Sequence, residues 1–116
     1  MKHNREFDII VYGASGFTGR LIAEYLAARH ANTGDFRWAL AGRNADKIAS
    51  TIAEANLPAD LPIITVDSAD ADSLRGMAER TAVVLTAVGP YQLYGSGLVA
   101  ACVAAGTDYV DLCGEP

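Results

Sequence analysis

Two cysteines and two histidines in 116 residues leave little from which to build a metal centre or a disulfide framework. Cys102 and Cys113 are too few and too far apart for either, and His3 and His30 stand at no ligand spacing from them, so no metal site is expected. With so little cysteine, a reducing cytoplasm is the expected location. Cationic charge is also short: nine Lys and Arg face fourteen Asp and Glu, for a net charge of −5. Without a basic face to neutralise a phosphate backbone, nucleic acid is not an expected partner. Long apolar runs are missing as well. The stretch from Ile9 to Tyr12 stops at Gly13 and follows a polar, charged start from Met1 to Glu6, so neither a secretory signal nor a transmembrane segment is expected. A Tyr-x-x-x-Lys pair is absent too, since the residues four after Tyr91, Tyr94 and Tyr109 are Gly95, Leu98 and Cys113. That argues against short-chain reductase chemistry. There is no internal repeat and no low-complexity tract, and the length suits one domain with one core.

What the chain does have is a hydrophobic share of 51% against 20% charged residues, which calls for a packed interior. Short β-rich runs alternate with helical patterns, the signature of a parallel sheet with crossover helices. Strands are expected at Phe7 to Tyr12, Phe36 to Ala41, Pro62 to Val66, Ala82 to Val88 and Tyr109 to Leu112. Helices are expected at Phe17 to His30, Ala45 to Ala55, Asp70 to Arg80 and Gly97 to Ala105. The run from Ala82 to Val88 does not alternate, as a central strand covered on both faces would not, which puts the fourth strand beside the first. In the first helix Ile22, Tyr25, Leu26 and Arg29 form a stripe that is expected to pack on the sheet. The last helix is apolar nearly all round and calls for a further layer over it. Right-handed crossovers with one reversal after the third strand give an α/β Rossmann-type doubly wound sheet of order 3-2-1-4-5. Ligands of such a sheet bind at the carboxyl ends of strands one and four.

Gly13, Ala14, Ser15, Gly16, Phe17, Thr18 and Gly19 lie directly after a strand and directly before a helix, with glycines three apart. The first glycine permits the tight turn, the second lets a pyrophosphate approach the backbone, and the third lets helix and strand pack closely. Free amides and the positive end of the helix dipole then receive the phosphates. A site for NAD would place an acidic residue at the end of the second strand, about 20 residues on. The sequence there is Ala41-Gly42-Arg43-Asn44, with Lys47 one helical turn after Arg43. A guanidinium at that point suits a 2′-phosphate, so the expected cofactor is NADP(H); otherwise Arg43 is a solvated surface residue. Asp67, after the third strand, could accept from an adenine amino group or help cap the next helix with Ser68 or Asp70. The loop of Val88, Gly89, Pro90 and Tyr91 follows the fourth strand, where it would lie near the nicotinamide. Cys102 reads as a small core residue. Cys113 lies on the ligand side, but Asp111 and Glu115 give it no electropositive setting.

Taken together, Tyr-Gly-Ala-Ser-Gly-Phe-Thr-Gly, the Ala-Gly-Arg after strand two, Val-Gly-Pro-Tyr and the closing Gly-Thr-Asp-Tyr-Val-Asp-Leu-Cys-Gly-Glu resemble the saccharopine dehydrogenase-like family. Within that family the resemblance is strongest to the trans-acting enoyl reductase branch, involved in mycobacterial lipid synthesis. The resemblance implies an NADP(H)-binding Rossmann domain over residues 1 to 116, followed by a larger α+β domain that completes the substrate site and commonly the dimer. It carries a cofactor-binding role to Gly13, Gly16, Gly19, Arg43 and Gly89 and assigns no catalytic residue within this chain. The expected function is then presentation of the nicotinamide for hydride transfer to a small, lipid-like substrate held by the second domain, in a protein that could form a homodimer. A module that binds NADP(H) as a redox sensor without turnover is the alternative. Cys113 departs from the family, where threonine is expected.

Overall fold

The computed structural model of the chain describes residues 5–13, 17–30, 37–57, 60–67, 70–86 and 100–111. Its strands are β1 (Phe7–Tyr12), β2 (Trp38–Gly42), β3 (Ile63–Thr65), β4 (Thr81–Thr86) and β5 (Asp108–Asp111), and its helices include α1 (Phe17–His30), α2 (Ala45–Glu54) and α3 (Ala71–Ala78). Residues 100–105 are also helical and are called α4. The sheet has the order β3-β2-β1-β4-β5 with every pairing parallel, the doubly wound order expected from the sequence.

Side-chain alternation distributes the core over the two faces. Ile9 and Val11 of β1, Trp38 and Leu40 of β2 and Ile63 of β3 pack with α1 and α2, whose inward residues include Ala23, Leu26, Ile48 and Ile52. The intervening residues Ile10, Tyr12, Ala39, Ala41, Ile64 and Val84 pack on the opposite face with Leu74, Met77 and Ala78 of α3 and with Ala101 and Cys102 of α4. Crossovers of one hand account for this: moving from β1 towards β3 puts the helices on one face, and moving from β3 back past β1 towards β5 puts them on the other.

The elements end where local chemistry stops them. In α2 the apolar positions Ile48 and Ile52, with Thr51, make a buried stripe, and the Lys47 amide donates to Asn44 Oδ1 at 3.1 Å as the N-cap. In α3 the amides of Asp72 and Ser73 donate to Asp70 Oδ1 at 3.0 and 3.4 Å. Losing such a cap leaves helix amides without a partner, which typically costs about 1 kcal/mol. Asp70→Ala is therefore expected to lower unfolding stability by about 1 kcal/mol, read from urea titration; an unmoved midpoint would show that water replaces the cap without cost. β3 is shorter than expected, yet its pairing with β2 reaches one residue further at each end: Leu40 N–H donates to Pro62 O and Val66 N–H donates to Gly42 O.

The expected inward stripe of α1 needs correcting. Ala23 and Leu26 are buried and Ile22 and Ala27 partly so, whereas Tyr25 is 60% exposed and its ring lies 5.7 Å from the Arg29 guanidinium carbon. The buried face is centred one position away because small Ala23 lets the helix approach β1 closely, while tyrosine and arginine keep each other at the surface.

At the amino-terminal edge of the sheet, Arg80 makes a bidentate pair with Glu6, Nε to Oε1 at 2.8 Å and Nη2 to Oε2 at 3.0 Å. That hydrogen-bonded guanidinium holds the Glu6 carboxyl below the usual glutamate range. Arg5 donates four hydrogen bonds at the same edge, to Ala78 O, Thr81 O, Ala105 O and Thr107 Oγ1.

Candidate functional site

The register fixes what meets at the carboxyl edge. Tyr12 stands opposite both Ala41 and Thr86, Gly42 opposite Thr65, and Thr86 opposite Asp111. Gly13, Gly42 with Arg43, and the exit of β4 therefore emerge side by side at the point where the strand order reverses, the place where doubly wound sheets hold ligands.

Gly13 has a φ of 90°, a left-handed conformation that costs glycine nothing and a residue with a Cβ considerably more. Its amide donates to Ala41 O at 2.9 Å, so the turn is tied to β2 as it leaves the sheet. Gly19 is buried in the first turn of α1. Ala14, Ser15 and Gly16 lie outside the described residues; Phe17 and Thr18 begin α1, their side chains outside the description. The 14-residue helix that begins at Phe17, four residues after Gly13, gives amide donors and a positive dipole end, which suit a pyrophosphate.

Arg43 follows β2 at once and is exposed, as is Lys47 in the first turn of α2. Every other arginine has an occupation. Arg5 binds carbonyls and a hydroxyl, Arg29 stacks on Tyr25, and Arg20, Arg37, Arg75 and Arg80 pair with carboxylates. Among the described residues no carboxylate pairs with Arg43. Gly42, just before it, is buried; a Cβ there would lie 3.1 Å from Ile48 Cδ1, so a bare backbone lets α2 begin close to the strand. The donor set at this edge is cationic and amide-rich, as a dinucleotide with a 2′-phosphate requires.

Asp67 is exposed beyond β3; its carbonyl accepts from Asp70 N–H at 3.0 Å and its amide donates to Ser73 Oγ at 3.0 Å. The cap of α3 is Asp70, so the helix start is served without the Asp67 carboxylate as N-cap. Val88, Gly89, Pro90 and Tyr91, and also Cys113, lie outside the described residues. Cys102 is buried in the core, where desolvation pushes its thiol up to about 11. A thiol that stays protonated and covered at neutral pH is not a nucleophile, so thiol reagents are expected to leave Cys102 unmodified until the fold is unfolded by denaturant. Rapid labelling in native buffer would contradict that burial. Asn44 was not among the expected site residues; an Asn three positions before Lys47 at the start of an apolar stripe was the available signal.

Residues 9–115 match the family described as saccharopine dehydrogenase NADP binding domain. The chain belongs to that family. It is an NADP(H)-binding domain related to those of the saccharopine dehydrogenases and the trans-acting enoyl reductases. The trans-acting enoyl reductases of Mycobacterium leprae and Mycobacterium tuberculosis (strain ATCC 25618 / H37Rv) are each 49% identical to it over 112 residues, 96% of this chain and 26% of theirs. A further protein of Mycobacterium tuberculosis (strain ATCC 25618 / H37Rv) is 52% identical over 113 residues, 97% of this chain and again 26% of its own length. The chain thus spans about a quarter of the curated relatives it matches. Among solved structures, the apo saccharopine dehydrogenase (L-Glu forming) of Saccharomyces cerevisiae superposes with a TM-score of 0.72 at 21% identity, over 90% of this chain and 21% of that one, a likeness of fold. Among the described residues no helix is long and apolar enough to cross a membrane.

Proposed function

We propose that this chain holds NADP(H) for hydride transfer to a substrate bound by a further domain of a longer polypeptide. The observation that carries the reading is Arg43, an exposed guanidinium at the end of β2 that no carboxylate among the described residues pairs with, one residue beyond the level of the Gly13 turn. On this reading the Gly13 to Gly19 turn and the start of α1 receive the pyrophosphate, and Arg43 with Lys47 receives the 2′-phosphate. Asp67 accepts from the adenine, and the Val88 to Tyr91 loop borders the nicotinamide. Bound NADPH supplies the hydride. The chain's own residues bind and orient it, and the proton donor comes from the other domain. The names of the mycobacterial relatives point to an α,β-unsaturated acyl group as the acceptor class.

The test compares the 116-residue chain with the polypeptide of the complete reading frame. The short chain is expected to bind NADPH, seen as a change in nicotinamide fluorescence, and to consume none when an unsaturated acyl substrate is added; the longer polypeptide is expected to consume it. Failure of the short chain to bind NADPH would overturn the site, and binding without turnover by the longer polypeptide would favour a sensor.

A further inference from the structure

Among the described residues, one face of the sheet is incompletely covered. α1 packs on β1 and α2 on β2 and β3, but β4 and β5 have no described helix on that side. The register puts Val83 beside Ile9, Leu85 beside Val11 and Val110 beside Leu85, so these three side chains continue the apolar surface that α1 and α2 cover elsewhere, with the exposed Asp108 beside Val83 at its amino-terminal end. Val83 and Leu85 are only partly buried and Val110 is 40% exposed. A parallel sheet normally hides both faces, and an apolar strip left open on one of them calls for a cover.

The flank of α1 forms the wall of this strip. Arg20 reaches Glu54 of α2, so the Arg20 side of the helix faces α2. At 3.6 residues per turn, Ile22, Tyr25 and Arg29 fall on the opposite flank, towards β4. A floor of Val83, Leu85 and Val110 beside a flank of Ile22 and Tyr25 makes a largely apolar groove, and the Arg29 guanidinium stands against the Tyr25 ring beside it.

We propose that this groove seats a helix from the part of the polypeptide that follows residue 116 and returns to the sheet after leaving it. The proposal rests on the reading of the chain as one part of a longer oxidoreductase. Two facts select this occupant. The relatives devote about three quarters of their length to sequence outside the matched region, so the material for a returning helix exists in proteins of this kind. Crossover handedness then decides how it arrives. The connections that step outward from β1 towards β5 put α3 and α4 on the other face, and one more step beyond β5 would put its helix there as well. A consecutive unit therefore cannot cover the groove. A segment that has left the sheet and come back can, and it would fix the second domain's orientation relative to the cofactor edge.

Tyr25→Cys and Val110→Cys report on the groove, with Ala49→Cys on the exposed side of α2 as a reference. Each is labelled with N-ethylmaleimide in the 116-residue chain and in the polypeptide of the complete frame, and modification is read peptide by peptide. Labelling at positions 25 and 110 is expected to slow by about a hundredfold in the longer polypeptide, with position 49 unchanged, because the groove then opens only through local unfolding. Equal rates in both polypeptides would overturn the proposal, as would a frame that closes at Pro116. Protection within the short chain that grows with concentration, together with a dimer in sedimentation, would assign the groove to a second copy and overturn it too. NADPH binding is measured on the same samples. Bound NADPH with an open groove defeats this proposal alone, whereas a shielded groove without NADPH binding defeats the proposed function.

Discussion

Arg43→Glu is expected to weaken NADPH binding about a hundredfold while changing NADH affinity by less than about threefold. Hydrogen bonds from a guanidinium to a phosphate are charge-assisted and contribute about 1.5–3 kcal/mol, and 1.4 kcal/mol is a factor of ten in affinity. The glutamate removes them and sets a carboxylate against the 2′-phosphate, which adds about 1 kcal/mol of repulsion at a solvated site. NADH lacks that phosphate and feels neither term. Arg43 is exposed and paired with no carboxylate among the described residues, so the substitution removes nothing from the fold. Calorimetric titration with both cofactors gives the answer, and 2′-phospho-AMP locates it, since the fragment should lose as much as NADPH does. Equal weakening of NADPH and NADH, or no weakening, would remove Arg43 from the site.

The strand order and the reversal beside β1 were legible because each strand carries its own apolar run and α2 and α3 carry clear apolar stripes between them, so local pattern and global fold agree. The glycine turn was legible for a related reason: a left-handed Gly13 is needed wherever a strand feeds a helix this tightly, and its spacing is written in seven consecutive residues. Arg43 stood out by its distance from the glycine motif and by the lack of an acid at the end of β2. The inward face of α1 was misread because periodicity counts Tyr25 as apolar, while the folded helix lets its ring stack on Arg29 at the surface. Arg5 was read only as part of a polar start, since its partners lie 73 to 102 residues away and no local pattern announces them.

Arg5→Met should lower unfolding stability by about 3 kcal/mol, the largest loss expected from any single polar side chain described here. Its Nη1 donates to Ala78 O at 3.0 Å, Thr81 O at 3.1 Å and Thr107 Oγ1 at 3.0 Å, and its Nη2 donates to Ala105 O at 2.6 Å. Ala78 and Ala105 are the last helical residues of α3 and α4, so one guanidinium caps two carbonyl ends that lack intrahelical partners and places a positive charge at two negative dipole ends. It also ties the entry of β1 to those of β4 and β5. Thr107 Oγ1 donates to Ala78 O at 2.6 Å and stays after the substitution, which is why the loss is not the sum of four charged hydrogen bonds. Arg5→Lys keeps the charge but not the fork, and should recover about half. Urea unfolding followed by circular dichroism measures both. NADPH affinity of the folded protein should not change, because this knot lies at the amino ends of the strands, about 20 Å of β1 away from Gly13 and Arg43. A midpoint that does not move would mean water satisfies the carbonyls as well as Arg5 does. A fall in NADPH affinity at full folding would mean the two edges of the sheet are coupled.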